Sequence, residues 1–542
     1  MHERIGLLRG KGYPLGEHAL RYPTEERTLL RLLSDQAASR GDQDWLIFDS
    51  TDHLTYREAW EESCQVAHAI EASVGKGAHV GIFLLNQLEF MPVFFGAMLN
   101  SGIAVPFNAA ARGPLLHYVV EHSDAAVIVA RLDLLDRLEA LEDLGSVRLV
   151  VAVGPGDCPT AIGQTPVVPW SEWLASVPST PPMTFPDYRQ PCLIQYTSGT
   201  TGRQKGAVYP HQFLYLYPAM YVDSIGITAD EILTTPMPLF HVAALHLIAN
   251  AALHAGATAH LKSRFSASRY WEEAAQDGAT FSIILGPMAA LVMKSSPPAP
   301  QHRLSRIFCV PPPPEADEFE RRYNTRLLWH AFGQTEISPL GMRPDILPGV
   351  PRDTLGYPVS WMEYGVVDDH DRLLPPGEVG EIVFRPMRPY SMFLEYYKDP
   401  QATLEAFRNF MYHTGDLGYY DEEGLLHYRG RKQERIRRRG ENISAPELEY
   451  VALRHPKVVE AAAYGVPSEL GEEDVKLDVR LSEPVPPAEL HAWLVENLPR
   501  YMVPRYLEIR DSFPKTPSER IQKYLLQSLP LDRPEVHDFE TR

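Results

Sequence analysis

Residues 79–107, HVGIFLLNQLEFMPVFFGAMLNSGIAVPF, are the stretch on which the fold class turns. The first seven, 79–85, form an unbroken apolar run with the pattern of a strand buried on both faces. Residues 89–100 then read as a helix and 103–107 as a second strand. A strand, a helix and a strand in so short a span close as a right-handed crossover between parallel neighbours. Working outward, residues 45–48 and 54–56 flank a turn as a hairpin, and 57–71 carry apolar residues at helical spacing. On the other side 115–122 read as helix and 125–130 as strand. The alternation predicts an α/β protein whose large N-terminal part is built of mostly parallel sheets flanked by helices.

Proline punctuates the remainder. The 48 prolines are about 9% of the chain, against about 5% in average protein. Residues 177–191, VPSTPPMTFPDYRQP, read as a linker just upstream of a strand, and the run Pro311 to Pro314 as a loop. Near residue 430 the composition changes: 429–439, RGRKQERIRRR, is strongly basic, and a compact βαβ-like tail follows with strands at 458–466, 475–481 and 506–509 and a helix at 487–497. Two domains are expected, 1–433 and a small, mobile α+β unit at 434–542.

The chain has 542 residues, 44% hydrophobic and 22% charged, which fits folded globular protein. Its net charge of −19 lacks the cationic footprint of a nucleic-acid binder, so any polyanion must be gripped locally. Four widely spaced cysteines, Cys64, Cys158, Cys192 and Cys309, offer no C-x-x-C pair and fit a reducing compartment. No stretch reaches the ~18 apolar residues of a membrane span, and no signal peptide or lipidation address is evident, so a cytoplasmic protein is expected. Oligomeric state is not legible.

The chemistry concentrates in residues 192–208, CLIQYTSGTTGRQKGAV. A strand runs into Thr197, Ser198, Gly199, Thr200, Thr201 and Gly202, and Lys205 follows. Glycines let backbone N–H groups approach phosphate oxygens, hydroxyls add donors and the lysine adds a cation, so the loop reads as a phosphate cradle. Gly202 and Lys205 are not adjacent, which excludes a Walker loop, and Tyr196 stands where a nucleophile elbow around Ser198 needs glycine.

This loop resembles the signature of the adenylate-forming superfamily of acyl-CoA synthetases, luciferases and peptide-synthetase adenylation domains. Further matches follow in the superfamily's order: Pro238-Leu239-Phe240-His241, Phe332-Gly333-Gln334-Thr335-Glu336, Tyr412-His413-Thr414-Gly415-Asp416, Gly430-Arg431 with Gly440-Glu441-Asn442-Ile443, and Pro514-Lys515-Thr516 leading to Arg520. Within it, HSDAAVIVA and RRRGENISAPELE look most like the crotonobetaine/carnitine-type CoA ligases.

The resemblance implies ATP, Mg²⁺ and CoA as cofactors and a small-molecule carboxylic acid as substrate. It assigns Thr335 to phosphate, Glu336 to Mg²⁺, Asp416 and Arg431 to the ribose, Phe332 and Gly333 to adenine, and His241 to the carboxylate or thioester site. Glu434 would be the hinge, and Arg437, Arg438 and Arg439 would meet CoA phosphates. Val242, Ala243, Gly286, Met288 and Gln334 would line an acyl pocket, their small or apolar side chains favouring a bulky or hydrophobic acyl group. Arg520 stands where the superfamily carries its adenylation lysine, and Glu519 replaces a glycine. A guanidinium keeps the charge but not the compact geometry of an ammonium. The expected activity is ATP-dependent acyl-CoA ligation. The rivals are an adenylating ligase with an amine or carrier-thiol acceptor, and a weakened nucleotide-binding homologue. The histidines His241, His246, His254 and His260 match no zinc spacing.

Overall fold

The computed structural model describes residues 6–11, 14–141, 143–181, 184–197, 204–295, 299–310, 312–313, 315–337, 340–341, 354–432, 435–438, 441–468, 473–498, 500, 502–515 and 520–540. The expected strands at 79–85 and 103–107 are His79–Phe83 and Ile103–Pro106, parallel neighbours joined through the helix Phe90–Leu99. All ten residues of that helix are buried, as suits a helix apolar on every side. The helix before them, Tyr56–Val74, starts at a capping box: Thr55 accepts from the Glu58 N–H and the Glu58 carboxylate accepts from the Thr55 N–H.

Two large sheets carry the N-terminal part. The eight-stranded one runs Gly206–Pro210, Pro191–Tyr196, Ile103–Pro106, His79–Phe83, Ala125–Arg131, Leu149–Val153, Thr165–Pro169, Ala161–Ile162, parallel except at its two edges. The seven-stranded one runs Arg326–Leu328, Arg306–Phe308, Phe281–Ile283, Ile232–Thr235, Thr258–Leu261, Asp44–Phe48, Asp52–Thr55, parallel apart from the expected hairpin. Residues of both sheets share one apolar core with the helices Tyr56–Val74, Phe90–Leu99 and His211–Ile225. The α/β class expected from the alternation is the class observed.

A third, antiparallel sheet is the part the alternation does not announce. It runs Leu8–Arg9, Met362–Val367, Gly380–Pro386, Tyr412–Tyr420, Leu426–Arg431. Beyond it lies a small α+β unit with its own core: the hairpin Arg435–Arg438 and Glu441–Ser444, and the sheet Val458–Pro467, Glu473–Leu481, Tyr506–Ile509, Val536–Asp538. Within that sheet Glu473–Leu481 and Tyr506–Ile509 are parallel, joined through the helix Pro487–Asn497, which is the expected βαβ unit. Among the described residues no helix is long and apolar enough to cross a membrane.

Candidate active site

A cavity of about 560 Å³ opens where the three N-terminal sheets meet the loop carrying Arg520. It is lined by Thr197, Lys205, His241, Val242, Ala243, Gly333, Gln334, Thr335, Glu336, Arg431 and Arg520, eleven residues singled out in the sequence and drawn from positions more than 300 apart. Parallel sheets deliver such gatherings, because loops leaving the carboxyl ends of adjacent strands converge on one side. Thus Thr197 leaves the strand Pro191–Tyr196 and holds the return of its loop, its N–H donating to the Lys205 carbonyl at 2.9 Å. Ser198, Gly199, Thr200, Thr201 and Gly202, the heart of the expected phosphate cradle, lie outside the described residues.

The acidic side of the cavity is held by tyrosines. The Tyr396 hydroxyl donates to Glu336 Oε1 at 2.6 Å, and Lys205 Nζ sits 4.8 Å from the centre of the Tyr396 ring. Burial and the Glu336 charge push the Tyr396 phenol far up, so it stays a donor at any working pH. The other oxygen, Oε2, accepts from no described residue, and Glu336 lines the cavity, so a hard carboxylate oxygen is left unspent there. That donor fits Mg²⁺, a cation that takes one or two carboxylates and completes its shell with substrate oxygens and water. Among the described residues no group of three His, Cys, Asp or Glu could hold a metal on protein ligands alone. Thr335 is fixed from behind, its carbonyl accepting from the Tyr209 hydroxyl.

Asp416, 3% exposed, is wired on both sides. Arg431 Nε lies 3.3 Å from Oδ1, and Gln334 Nε2 donates to Oδ2 at 2.6 Å and to the Thr414 carbonyl at 2.8 Å. Gln334 is held in turn by the Tyr412 hydroxyl, which donates to Oε1 at 2.6 Å. Gln334 therefore lines the cavity but acts as a brace for Asp416 rather than as a bare pocket wall. Ahead of Asp416 the chain turns at Gly415, whose φ of +70° suits glycine, and the Gly415 N–H donates to Glu381 Oε1 at 2.9 Å. Burial alone would raise the Glu381 carboxyl. Hydrogen bonding to His413 and Gly415 and the charge of Lys432 outweigh it and hold it at about 2.

His241 brings its ring to the same cavity. Its Nε2 is buried with no hydrogen-bond partner among the described residues, and burial, then the Arg520 charge, lower it to about 4. A neutral imbidazole stands there at pH 7, able to accept or donate one hydrogen bond but not to carry charge.

Arg520 reaches this cavity from the small unit. Its loop closes at the base, where Gln522 N–H donates to the Pro514 carbonyl at 2.8 Å and Lys515 bridges to Ile521. The flanking lysines are tied down: Lys515 to Glu460, and Lys523 Nζ to Glu449 at 2.7 Å.

Four expected placements differ. Phe332, expected against adenine, is 8% exposed in the main core, 5.9 Å from Phe384, and does not line the cavity; a phenyl ring without a hydroxyl gains more from burial than from a wet edge. Gly286 and Met288 are buried on the helix Gly286–Ser295, with Met288 in the same core, and the cavity wall beside them is Leu285. Arg438 is 6% exposed, within 3.4 Å of Asp474 and 2.6 Å of Glu540, and donates to the Val503 carbonyl at 2.8 Å. A CoA phosphate would have to displace those partners, so Arg438 holds the small unit together instead. Glu434, Arg439 and the Arg437 side chain lie outside the described residues. Tyr396 and Glu381 carry no signal in the sequence, and Tyr412 stands in a matching motif without a role of its own, since a lone tyrosine or glutamate reads as core or solvated face until its neighbours in space are known.

Comparison with known proteins agrees with this geometry. Residues 33–397 match the family described as AMP-binding enzyme, and 447–520 the AMP-binding enzyme C-terminal domain. The chain is similar to a crotonobetaine/carnitine–CoA ligase of Citrobacter koseri, 31% identical over 519 residues, covering 92% of this chain and 98% of that one. A crotonobetaine/carnitine–CoA ligase of Shigella flexneri is 30% identical over 513 residues, covering 91% and 97%. In fold it resembles the anthranilate CoA ligase AuaEII in complex with anthranoyl-AMP, at a TM-score of 0.80 and 22% identity over 94% of this chain and 98% of that one. ATP-bound MatB from Rhodopseudomonas palustris gives 0.79 and 22% over 93% and 98%. With two thirds of its length matching the family, and with a cavity that holds its motif residues together, the chain belongs to the AMP-binding, adenylate-forming enzymes.

Proposed function

We propose that this enzyme is an acyl-CoA ligase. A carboxylate attacks the α-phosphorus of ATP, giving an acyl-adenylate and pyrophosphate; the CoA thiol then attacks the acyl carbonyl and AMP leaves. The observation that carries the reading is the convergence of Lys205, Glu336, Arg431 and Arg520 on one cavity. Bringing a carboxylate to a triphosphate needs cations fixed before the reaction begins, and three of these four residues supply them. Mg²⁺ bound at Glu336 would add its charge to the same task. Asp416 suits the ribose hydroxyls as an acceptor, with Arg431 and Gln334 fixing its oxygens. His241, neutral and without a partner, suits the acyl carboxylate as a donor.

The two-domain division at 433/434, with Glu434 as hinge, belongs to the same proposal. The small unit would bring Arg520 to the cavity for adenylation and swing away for thioester formation. Arg520 lining the cavity weighs against a homologue that has lost catalysis. The test is pyrophosphate release by the full chain with a panel of acids, with and without CoA, followed by mass spectrometry of products. Acyl-CoA is the expected product. Pyrophosphate release that never leads to a CoA thioester, but does lead to an amide or a carrier thioester, would move the acceptor elsewhere.

A further inference from the structure

Three of the segments that line the cavity carry no Asp, Glu, Lys or Arg and together make an apolar wall: residues 206–222, 232–261 and 278–293. They contribute Tyr217, Met237, Val242, Ala243, Leu247 and Leu285. These stand close together in the fold. Ile232–Thr235 and Phe281–Ile283 are neighbouring parallel strands, so Met237 and Leu285 follow their carboxyl ends side by side. The helical segment Leu245–Ala249, which follows Val242–Ala244, packs against the helix His211–Ile225 that bears Tyr217. His241 and His246 offer no charge near neutral pH, since burial holds His246 at about 3, and burial with Arg520 holds His241 at about 4.

One polar group interrupts the wall. Tyr217 is 3% exposed and lines the cavity, yet its hydroxyl makes no hydrogen bond to any described residue. A hydroxyl that lines the cavity and is not spent on an acceptor among the described residues is open to a ligand oxygen, which takes the place of water there. Its ring is held by Phe213 at 5.6 Å and His246 at 5.2 Å.

Resting on the adenylation reading above, we infer that the acid is uncharged beyond its carboxylate: an apolar acyl group bearing one hydrogen-bond-accepting oxygen that meets the Tyr217 hydroxyl. A quaternary ammonium of the kind borne by crotonobetaine would meet no carboxylate on the described residues of this wall. Of the other carboxylates that line the cavity, Glu381 is held by Gly415, Arg408 and Lys432, Glu405 accepts from Gln401, and Glu336 accepts from Tyr396. An unpaired buried ion is strongly disfavoured. Tyr217 is then a specificity-determining residue, and this chain parts from the crotonobetaine/carnitine–CoA ligases it is similar to over the charge of its substrate.

The test uses isosteres, with kcat/KM for pyrophosphate release by the full chain as readout. In 5,5-dimethylhexanoate a tert-butyl group replaces the trimethylammonium of 4-(trimethylammonio)butanoate at nearly constant shape. The uncharged acid should lead by ~100-fold or more. Equal rates, or a lead for the ammonium acid, overturn the assignment of charge. Second, 5-oxohexanoate should lead 5-methylhexanoate by ~10-fold in the parent chain, a neutral hydrogen bond's share, and the ratio should fall to about one in Tyr217→Phe. A ratio unchanged by Tyr217→Phe removes Tyr217 from the role, and because each ratio is taken within one protein, partial misfolding cancels. If no acid releases pyrophosphate while calorimetry still records AMP binding, the adenylation reading itself fails and takes this inference with it.

Discussion

Asp416 and Arg431 stand opposite each other on adjacent antiparallel strands, Tyr412–Tyr420 and Leu426–Arg431, with Nε 3.3 Å from Oδ1. Arg431 lines the cavity and Asp416, buried and not itself among the lining residues, stands beside it; the register of the sheet, not sequence spacing, brings the two together. Replacing Asp416 with Asn leaves Arg431 without its counter-charge and removes the anionic acceptor offered to the ribose. AMP affinity measured by calorimetry should fall by ~10- to 100-fold. Asp416→Asn with Arg431→Met should lose less than the sum of the two singles, because both remove one interaction. Strict additivity would show the pair to be uncoupled.

Glu336→Gln keeps the shape of the side chain and removes its charge. Acyl-adenylate formation should drop by ~100-fold or more, the scale of one lost electrostatic stabiliser, and extra Mg²⁺ should not restore it. Tyr396→Phe, which frees Glu336 Oε1 but leaves the carboxylate, should cost no more than ~10-fold. A near-normal Glu336→Gln enzyme would sink the assignment.

Of the three cations around the Arg520 loop, only Arg520 lines the cavity, whereas Lys515 and Lys523 are spent on Glu460 and Glu449. Arg520→Ala should therefore lose pyrophosphate release by ~100-fold or more, while Lys515→Ala and Lys523→Ala lose far less. The ordering is the test: a fully active Arg520→Ala beside an inactive lysine variant reassigns the role. Arg520→Ala should also let the His241 pKa rise, since the guanidinium charge helps hold it down. Imidazole proton resonances followed through a pH titration would report the shift.

Glu434→Pro fixes φ at the proposed hinge. Thioester formation from supplied acyl-adenylate should collapse while pyrophosphate release declines less. Equal loss in both half-reactions argues against alternation between two orientations.

Acid should destabilise the protein early. Burial lowers His211 and His241 to about 4 and His246 to about 3, and drives His254 well down. In the unfolded chain these groups titrate near 6.5. Between that value and their folded values the unfolded chain binds protons that the folded one refuses, so their contribution is complete above pH 6.5 and is lost as the pH falls toward 4. Each group contributes a slope of roughly 1.4 kcal/mol per pH unit in that window. Glu62 opposes them, raised to about 7 by burial and its acidic neighbours, but it is one group against four. Urea midpoints should fall steeply between pH 6.5 and 5, and a flat profile contradicts the neutral burial of these histidines.

What was legible in the sequence follows from periodicity. The strand, helix, strand unit at 79–107 fell within two residues of its observed bounds, because a wholly apolar helix between wholly apolar strands leaves little else for the chain to do. The antiparallel sheet after residue 360 was not anticipated, and with it went the brace around Asp416. Tyr412 and Glu381 come together through pairing across strands, irregular near Glu381, and Gln334 reaches Tyr412 and Asp416 from a loop outside that sheet. Phe332 kept its place in a motif, yet without the hydroxyl nothing ties its ring to the wet side, and it joined the core. Motif position therefore located the cavity more reliably than it assigned each side chain within it.

The two lysine pairs that pin the Arg520 loop to Glu460 and Glu449 have a mechanical meaning. With Lys515 and Lys523 fastened to the strand and helix beneath, the proposed swing of the small unit would carry the arginine with it. Charge neutralisation and enclosure of the substrates would then be a single event. An arginine-directed reagent such as phenylglyoxal would thus act as a clock for domain position, with the rate at which it finds Arg520 counting how often the cavity stands open.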